Sequence, residues 1–182
     1  VSLSGGKSFR IGFDSSGLDA YLDSIADRAK EAVRPAAAAG AKVLYDRVKM
    51  NVAGIGTVSG NLQNSIYRTL SESNSNEHRA VYHISWNHLK APHGHLVEYG
   101  YMQRYRYYTL KNGQIRTMVR PEMIGKRRPG RGASAAVKAA YYVTLPTPRH
   151  VPGRAFVRSA ASSFDAAFSA AENVLYSYVL GK

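Results

Sequence analysis

The sequence contains no cysteine, which excludes disulfides and thiolate metal sites. It also lacks any run of about 18 apolar residues, the length a membrane-crossing helix requires, so no membrane partner is expected. The Ser/Gly-rich residues 1–10 have no apolar stretch of the kind a signal peptide carries. Carboxylates are scarce, and Glu122 is the sole acidic residue between positions 101 and 150. No carboxylate pair stands out for general acid–base work. No nucleophile elbow, phosphate loop or metalloprotease signature occurs, and Gly54-Ile55-Gly56 lacks the spacing of a dinucleotide site. His88, His93 and His95 cluster in sequence, but without a helical i,i+4 pair or a supporting cysteine they read as loop or interface histidines. The expectation is a protein with no catalytic residue, no cofactor and no metal, and not an enzyme. The lack of cysteine also suits assembly in a reducing cytoplasm.

What is present is a globular composition with very uneven charge. Hydrophobic residues make up 45% and charged residues 20% of 182 positions, enough to bury a core as a single domain over residues 1–182. The formal net charge is +13. Residues 1–100 hold 11 Lys/Arg against 9 Asp/Glu, residues 101–150 hold 11 against 1, and residues 151–182 hold 3 against 2. So local an excess acts on a specific partner surface or on nucleic acid.

Periodicity predicts the elements. Lys7 to Phe13 alternates polar and apolar positions and reads as a short strand. A long helix follows from about Leu18 to Asn51, capped by Asp19 or a preceding serine. Leu18, Tyr21, Leu22, Ile25, Ala29 and Val33 form its apolar stripe, while Asp19, Asp23, Asp27 and Glu31 form an acidic one at i,i+4 spacing. Pro35 should kink or restart the helix. Residues 51–61 read as a Gly-rich linker. Leu62 to Leu70 begins as a turn or short helix and becomes a strand, which pairs across a polar loop with Arg79 to Trp86. Leu96 to Tyr101 is a short apolar element.

Asn112-Gly113 predicts a two-residue hairpin turn, pairing Leu110 with Ile115, Tyr108 with Thr117, Tyr107 with Met118 and Tyr105 with Arg120. Pro121 to Gly132, which includes Lys126-Arg127-Arg128-Pro129-Gly130-Arg131, reads as an exposed loop. Ala133 to Tyr142 suits a short helix, and Leu145 to Gly153, with three prolines, an extended segment. A last helix runs from Phe156 to about Leu180 on the stripe Phe164, Phe168, Ala171, Leu175 and Tyr178. The expected fold is α+β, an antiparallel sheet packed by a long N-terminal helix and a C-terminal amphipathic helix. A basic hairpin/loop arm, residues 102–145, protrudes from it.

Arg104, Arg106, Arg116, Arg120, Lys126, Arg127, Arg128 and Arg131 interleave with Tyr105 and Tyr107. This pattern suits phosphate contacts with aromatic stacking. It equally suits docking onto an acidic protein face, where Arg and Tyr are favoured anchors, or a solvated loop. The acidic stripe at Asp19, Asp23, Asp27 and Glu31 and the basic arm could be the two complementary faces of a ring. Glu98 lies between Val97 and Tyr99, where it is either a surface carboxylate at a strand end or, if buried, requires a partner. Arg154 or Arg158, of the same or the next subunit, is the candidate, and all three residues are placed provisionally at a subunit interface.

Three segments carry a family resemblance. They are Gly56-Thr57-Val58-Ser59-Gly60-Asn61-Leu62-Gln63-Asn64-Ser65-Ile66, Gly94-His95-Leu96-Val97-Glu98-Tyr99-Gly100 and Pro152-Gly153-Arg154-Ala155-Phe156-Val157-Arg158-Ser159-Ala160. In this order they resemble the small tail-completion or head–tail connector proteins of lambda-like siphophages. There, a Gly-x-Leu-x-x-Ser-Ile stretch follows the first helix, a valine-glutamate-aromatic-glycine stretch lies mid-chain, and an arginine-proline-phenylalanine-leucine-arginine stretch opens the last helix. Ala155 stands where that family usually has proline, and Tyr105 to Arg131 is longer than usual. The resemblance implies a virion structural protein of the neck, a tail-completion connector or tail terminator. It would form a homo-oligomeric ring, six copies favoured over twelve, between portal-side connector proteins and the tail tube. Genomic DNA in the channel is a further possible partner. A sequence-independent DNA-binding protein is the alternative function.

Overall fold

The computed structural model describes residues 16–56 and 60–181. The strand expected over Lys7 to Phe13 lies outside them. Helix α1 spans Ser16–Ile55 and α5 spans Phe164–Leu180. Between them come α2 (Asn61–Ser65), β1 (Ile66–Leu70), β2 (Tyr82–Trp86), α3 (Gly94–Tyr99), β3 (Gly100–Tyr105), β4 (Tyr107–Thr109), β5 (Ile115–Thr117), α4 (Ala135–Tyr141) and β6 (Thr144–Pro152). The class is α+β as expected, with the strands divided into three two-stranded antiparallel sheets: β1–β2, β3–β6 and β4–β5.

The C-terminal boundary of α1 differs from expectation, and of the kink or restart expected at Pro35 the restart does not occur: the helix continues through it. It also absorbs residues 51–55 of the expected linker, because Val52 and Ile55 continue the apolar face and pack into the core. Gly56, at φ +87, then ends it, a backbone state that glycine adopts without penalty. The core gathers Val48 and Val52 of α1, Ile66 of β1, Phe156 and Ala160, with Ile84 and Trp86 of β2 and Val97 of α3 against them. Trp86 meets Phe156 edge-on at 5.4 Å between ring centres.

Helices α1 and α5 pack antiparallel through small residues. A Cβ built on Gly40 would sit 2.9 Å from the Ala167 carbonyl oxygen and 3.5 Å from the Ala171 Cβ, so the missing side chain is what lets the two backbones approach. Ala167 is buried there. Three large members of the expected α5 stripe remain exposed, Phe164, Phe168 and Tyr178, with Phe168 at 67%. The C-terminal helix also begins later than expected. Phe156 and Val157 form a turn, Arg158–Ser163 is a 3-10 helix, and the α-helix starts at Phe164.

Strands β3 and β6 form a stalk from which residues 106–143 emerge. They pair from Gly100–Pro152 at the base to Tyr105–Thr144 at the top. The β4–β5 hairpin exists, but its register is one residue from the expected one: Tyr107 faces Thr117, Tyr108 faces Arg116 and Thr109 faces Ile115. The turn holds three residues, Lys111 to Gly113. The Gly113 amide donates to the Leu110 carbonyl at 2.9 Å and Gly113 itself lies at φ +80. A three-residue loop with glycine in the left-handed state is the next commonest hairpin solution, and the one-residue shift exchanges the faces of every paired side chain.

Candidate docking surfaces

The base of the stalk is clasped by Glu98. Gly100 and Gly153 press backbone against backbone, and a Cβ on either would collide with main-chain atoms of the other segment. Gly100 also needs its positive φ of 82. This contact puts the end of α3 against residues 153–158. The Arg154 amide donates to the Val97 carbonyl at 2.6 Å, and the Ala155 amide to the Glu98 carbonyl at 3.1 Å. The Glu98 side chain, 1% exposed, accepts from the Val157 amide at 2.9 Å, the Arg158 amide at 3.1 Å and the Arg158 Nε at 3.1 Å. Arg158 Nη2 reaches the Glu98 carbonyl at 3.0 Å, and the guanidinium lies over the Tyr99 ring. Burial of a carboxylate requires hydrogen-bond partners of this kind.

Of the two arginines considered for Glu98, Arg158 of the same chain is the partner. Glu98 faces inward and offers no surface to a neighbouring subunit, whereas the Arg158 side chain remains 59% exposed and Arg154 is exposed. Ala155 adopts φ +48 and uses its N–H. Proline can do neither, which accounts physically for the departure from the family pattern at that position.

The arm has its own small framework. Tyr105 packs on Tyr142, which packs on Tyr141. Tyr141 Oη donates to the Lys126 carbonyl at 3.1 Å, and Lys138 Nζ to the Arg131 carbonyl at 2.6 Å. The loop over residues 121–132 is therefore tied to α4 at two points while its side chains face outward. Arg120 is turned inward, its Nε donating to the Ala139 and Tyr142 carbonyls at 3.1 and 3.3 Å. Arg104, Arg106, Arg116, Lys126, Arg127, Arg128, Arg131 and Tyr107 are exposed, and Tyr105 is half-buried. The fold thus divides the predicted contact set into framework (Arg120, Tyr105) and surface (the rest).

Sequence reading missed Arg149, which joins the stalk by donating from Nε to Gln103 Oε1 at 2.8 Å and from Nη2 to Tyr107 Oη at 3.4 Å. It also missed a cleft of about 840 Å³ between the hairpin tip and the body. Ile55, Leu96, Val97, Tyr101, Ile115 and Val151 line it, and the exposed Arg116 and Arg154 join them. Residues this far apart in sequence give no local signal. The one hint is Ile115, an apolar residue beside the hairpin turn, which is 62% exposed.

The acidic stripe lies on the opposite end of α1. Asp19, Asp23, Asp27 and Glu31 are exposed, with Asp27 paired to Lys30 at 3.2 Å. Leu18, Tyr21 and Leu22 beside them are also exposed, Leu22 at 53%. Gly181, just past α5, sits near Arg28, so the first turns of α1 run beyond the helix that would cover them. Among the described residues no three of His, Cys, Asp and Glu gather as a metal site, and no helix is long and apolar enough to cross a membrane.

Residues 16–100 match the HK97-gp10-like family, described as "Bacteriophage HK97-gp10, putative tail-component". The matched stretch runs from α1 through α3 and includes Glu98, while the arm, β6 and α5 lie beyond it. No curated protein and no solved structure matches the chain. The match agrees with the resemblance to phage tail-completion and connector proteins, and it supports a structural role in the virion.

Proposed function

We infer that this protein is a non-enzymatic building block of the phage neck, acting at the head–tail junction as a tail-completion connector or tail terminator. The observation that carries the reading is the match of residues 16–100 to a phage tail-component family. The surface chemistry supports it. Large exposed apolar side chains on α1 and α5, together with separated acidic and basic regions, are what a subunit needs if it closes a ring through two different faces. In this reading residues 1–182 form one domain, and residues 102–145 are an arm that docks on a neighbouring copy or on a portal-side or tail-tube protein. Six copies assemble around the channel, in the host cytoplasm, and remain in the virion. Asp19, Asp23, Asp27, Glu31, Arg154 and Arg158 belong to the contacts between subunits, and Glu98 braces the fold behind them.

Electron microscopy of particles carrying a tagged copy tests this. Label at the neck and ring-shaped assemblies of the purified protein are expected. Particles without the label, or solitary compact molecules at every concentration, would overturn the reading.

A second reading, sequence-independent DNA binding, rests on the exposed Lys126, Arg127, Arg128 and Arg131, which have Glu122 as their one acidic neighbour in the arm. It requires affinity for duplex DNA that falls steeply with salt, the log–log slope being about −0.9 per phosphate contacted. Replacing those four residues by alanine should flatten the slope. Salt-independent or absent binding removes this reading.

A further inference from the structure

The free end of α1 and the cleft under the hairpin tip are complementary. The helix end offers Leu18, Tyr21 and Leu22, all more than half exposed, on one face at helical spacing. The cleft offers an apolar lining of about 840 Å³, within the range of about 300–1,000 Å³ that binding pockets occupy. Their charges are opposite as well. Residues 16–31 hold four acidic and two basic residues. The cleft holds Arg116 and Arg154 and opens beside the arm, whose residues 102–145 include 10 Lys/Arg and a single Glu. An amphipathic helix laid into an apolar groove is a recurring mode of recognition.

The two surfaces cannot meet within one chain. Ile55 lines the cleft, and it is 33 residues from Leu22 along one continuous helix, a separation of about 50 Å at roughly 1.5 Å per residue. A contact between them must join different copies. Repeated from copy to copy such a contact builds rings or filaments, whereas made reciprocally by two copies it closes a two-fold dimer; the ring reading above requires the first.

We propose that the Leu18–Glu31 end of α1 from one copy seats in the cleft of the next. Leu18, Tyr21 and Leu22 enter the groove between Leu96 and Ile115, and Asp23 and its acidic neighbours lie towards Arg116, Arg154 and the arm. This rests on the self-assembling reading above and names the surfaces that carry it. The exposed Phe164 and Phe168 of α5 take no part in this contact.

The absence of cysteine makes the test direct. Full-length Leu22→Cys and Ile115→Cys proteins are prepared separately, mixed and mildly oxidised, with Tyr21→Cys as a second probe in case losing Leu22 weakens the contact. Disulfide-linked dimers should form in the mixtures several-fold more than in any single variant. The double variant Leu22→Cys/Ile115→Cys should give a ladder of covalent oligomers. Single variants that cross-link to themselves as readily as the mixtures would overturn the head-to-tail contact. Sedimentation of the unmodified protein separates this proposal from its premise. Oligomers that yield no mixed cross-link with either probe overturn this contact and leave the assembling reading standing. Monomers with no cross-link overturn both.

Discussion

The two ends of α1 follow the same apolar rhythm and meet opposite fates. Towards the C-terminus, Val48 and Val52 are fully buried against Phe156 and Ile66. Towards the N-terminus, Leu18, Tyr21 and Leu22 keep the spacing but are each more than half exposed, with no other described element covering them. An isolated helix of a few turns is marginal in water, and large apolar side chains left together in solvent mark an interaction surface. The difference teaches that periodicity reports which side of a helix is apolar. What lies on that side, the chain's own core or another molecule, depends on where the neighbouring helix ends. Here α5 ends near Arg28.

The comparison is broken most violently at the buried end. Phe156 is fully enclosed and belongs to the cluster that joins α1, the β1–β2 hairpin and α3. Phe156→Ala removes that ring and leaves a cavity, so a loss of about 3–5 kcal/mol is expected, read from urea unfolding of the purified protein. A loss below about 1 kcal/mol, the scale of a surface substitution, would mean that the packed centre is not where stability resides.

Glu98 tests how that centre is latched to the stalk. Glu98→Gln keeps the shape but puts an NH2 where a backbone N–H now donates, and one buried donor goes unmet. The expected loss is about 1–3 kcal/mol. Arg158→Ala should cost less, about 1 kcal/mol or below, because that guanidinium is largely exposed and water can replace it for Tyr99 and the Glu98 carbonyl. The backbone amides of Val157 and Arg158 would still hold the carboxylate. Equal losses in the two variants would show that the ion pair, and not the capping of the 157–158 turn, is what Glu98 supplies.

Legibility in the sequence followed the range of the interaction. The long helix, the β1–β2 hairpin, the Asn112-Gly113 turn and the extended course of the proline-rich residues 145–153 were all visible from local signals, whereas the pairing that makes the last of these strand β6 is non-local. The hairpin register failed by one residue: Asn112-Gly113 is compatible with two-residue and three-residue loops, and the pairing of residues 118–120 with 141–143 that surrounds the hairpin is non-local. The α5 stripe was read as a single apolar face, but its packing is decided by Gly40, Ala167 and Ala171. Small residues carry little hydrophobic weight yet permit the closest approach. Glu98 was recognised as needing a partner, and both candidates lay in the correct segment. Choosing Arg158 over Arg154 required the backbone contact between Gly100 and Gly153.

The smallest effect on stability is expected at the other end of α1, and there its smallness is the informative result. Leu18→Ser/Leu22→Ser exchanges two exposed apolar side chains for polar ones in the first turns of α1, which no other described element covers. In the isolated chain each change should alter unfolding free energy by no more than about 0.5 kcal/mol, mostly through the lower helix propensity of serine. With Tyr21→Cys added as the probe, the same variant should lose mixed cross-linking to Ile115→Cys, and without the probe it should lose oligomer formation at concentrations where the parent assembles. Stability and assembly are thereby uncoupled at this end, whereas Phe156→Ala couples them. A double variant that unfolds as easily as Phe156→Ala would mean that Leu18 and Leu22 are already covered within the chain, and the contrast between the two ends of the helix would collapse.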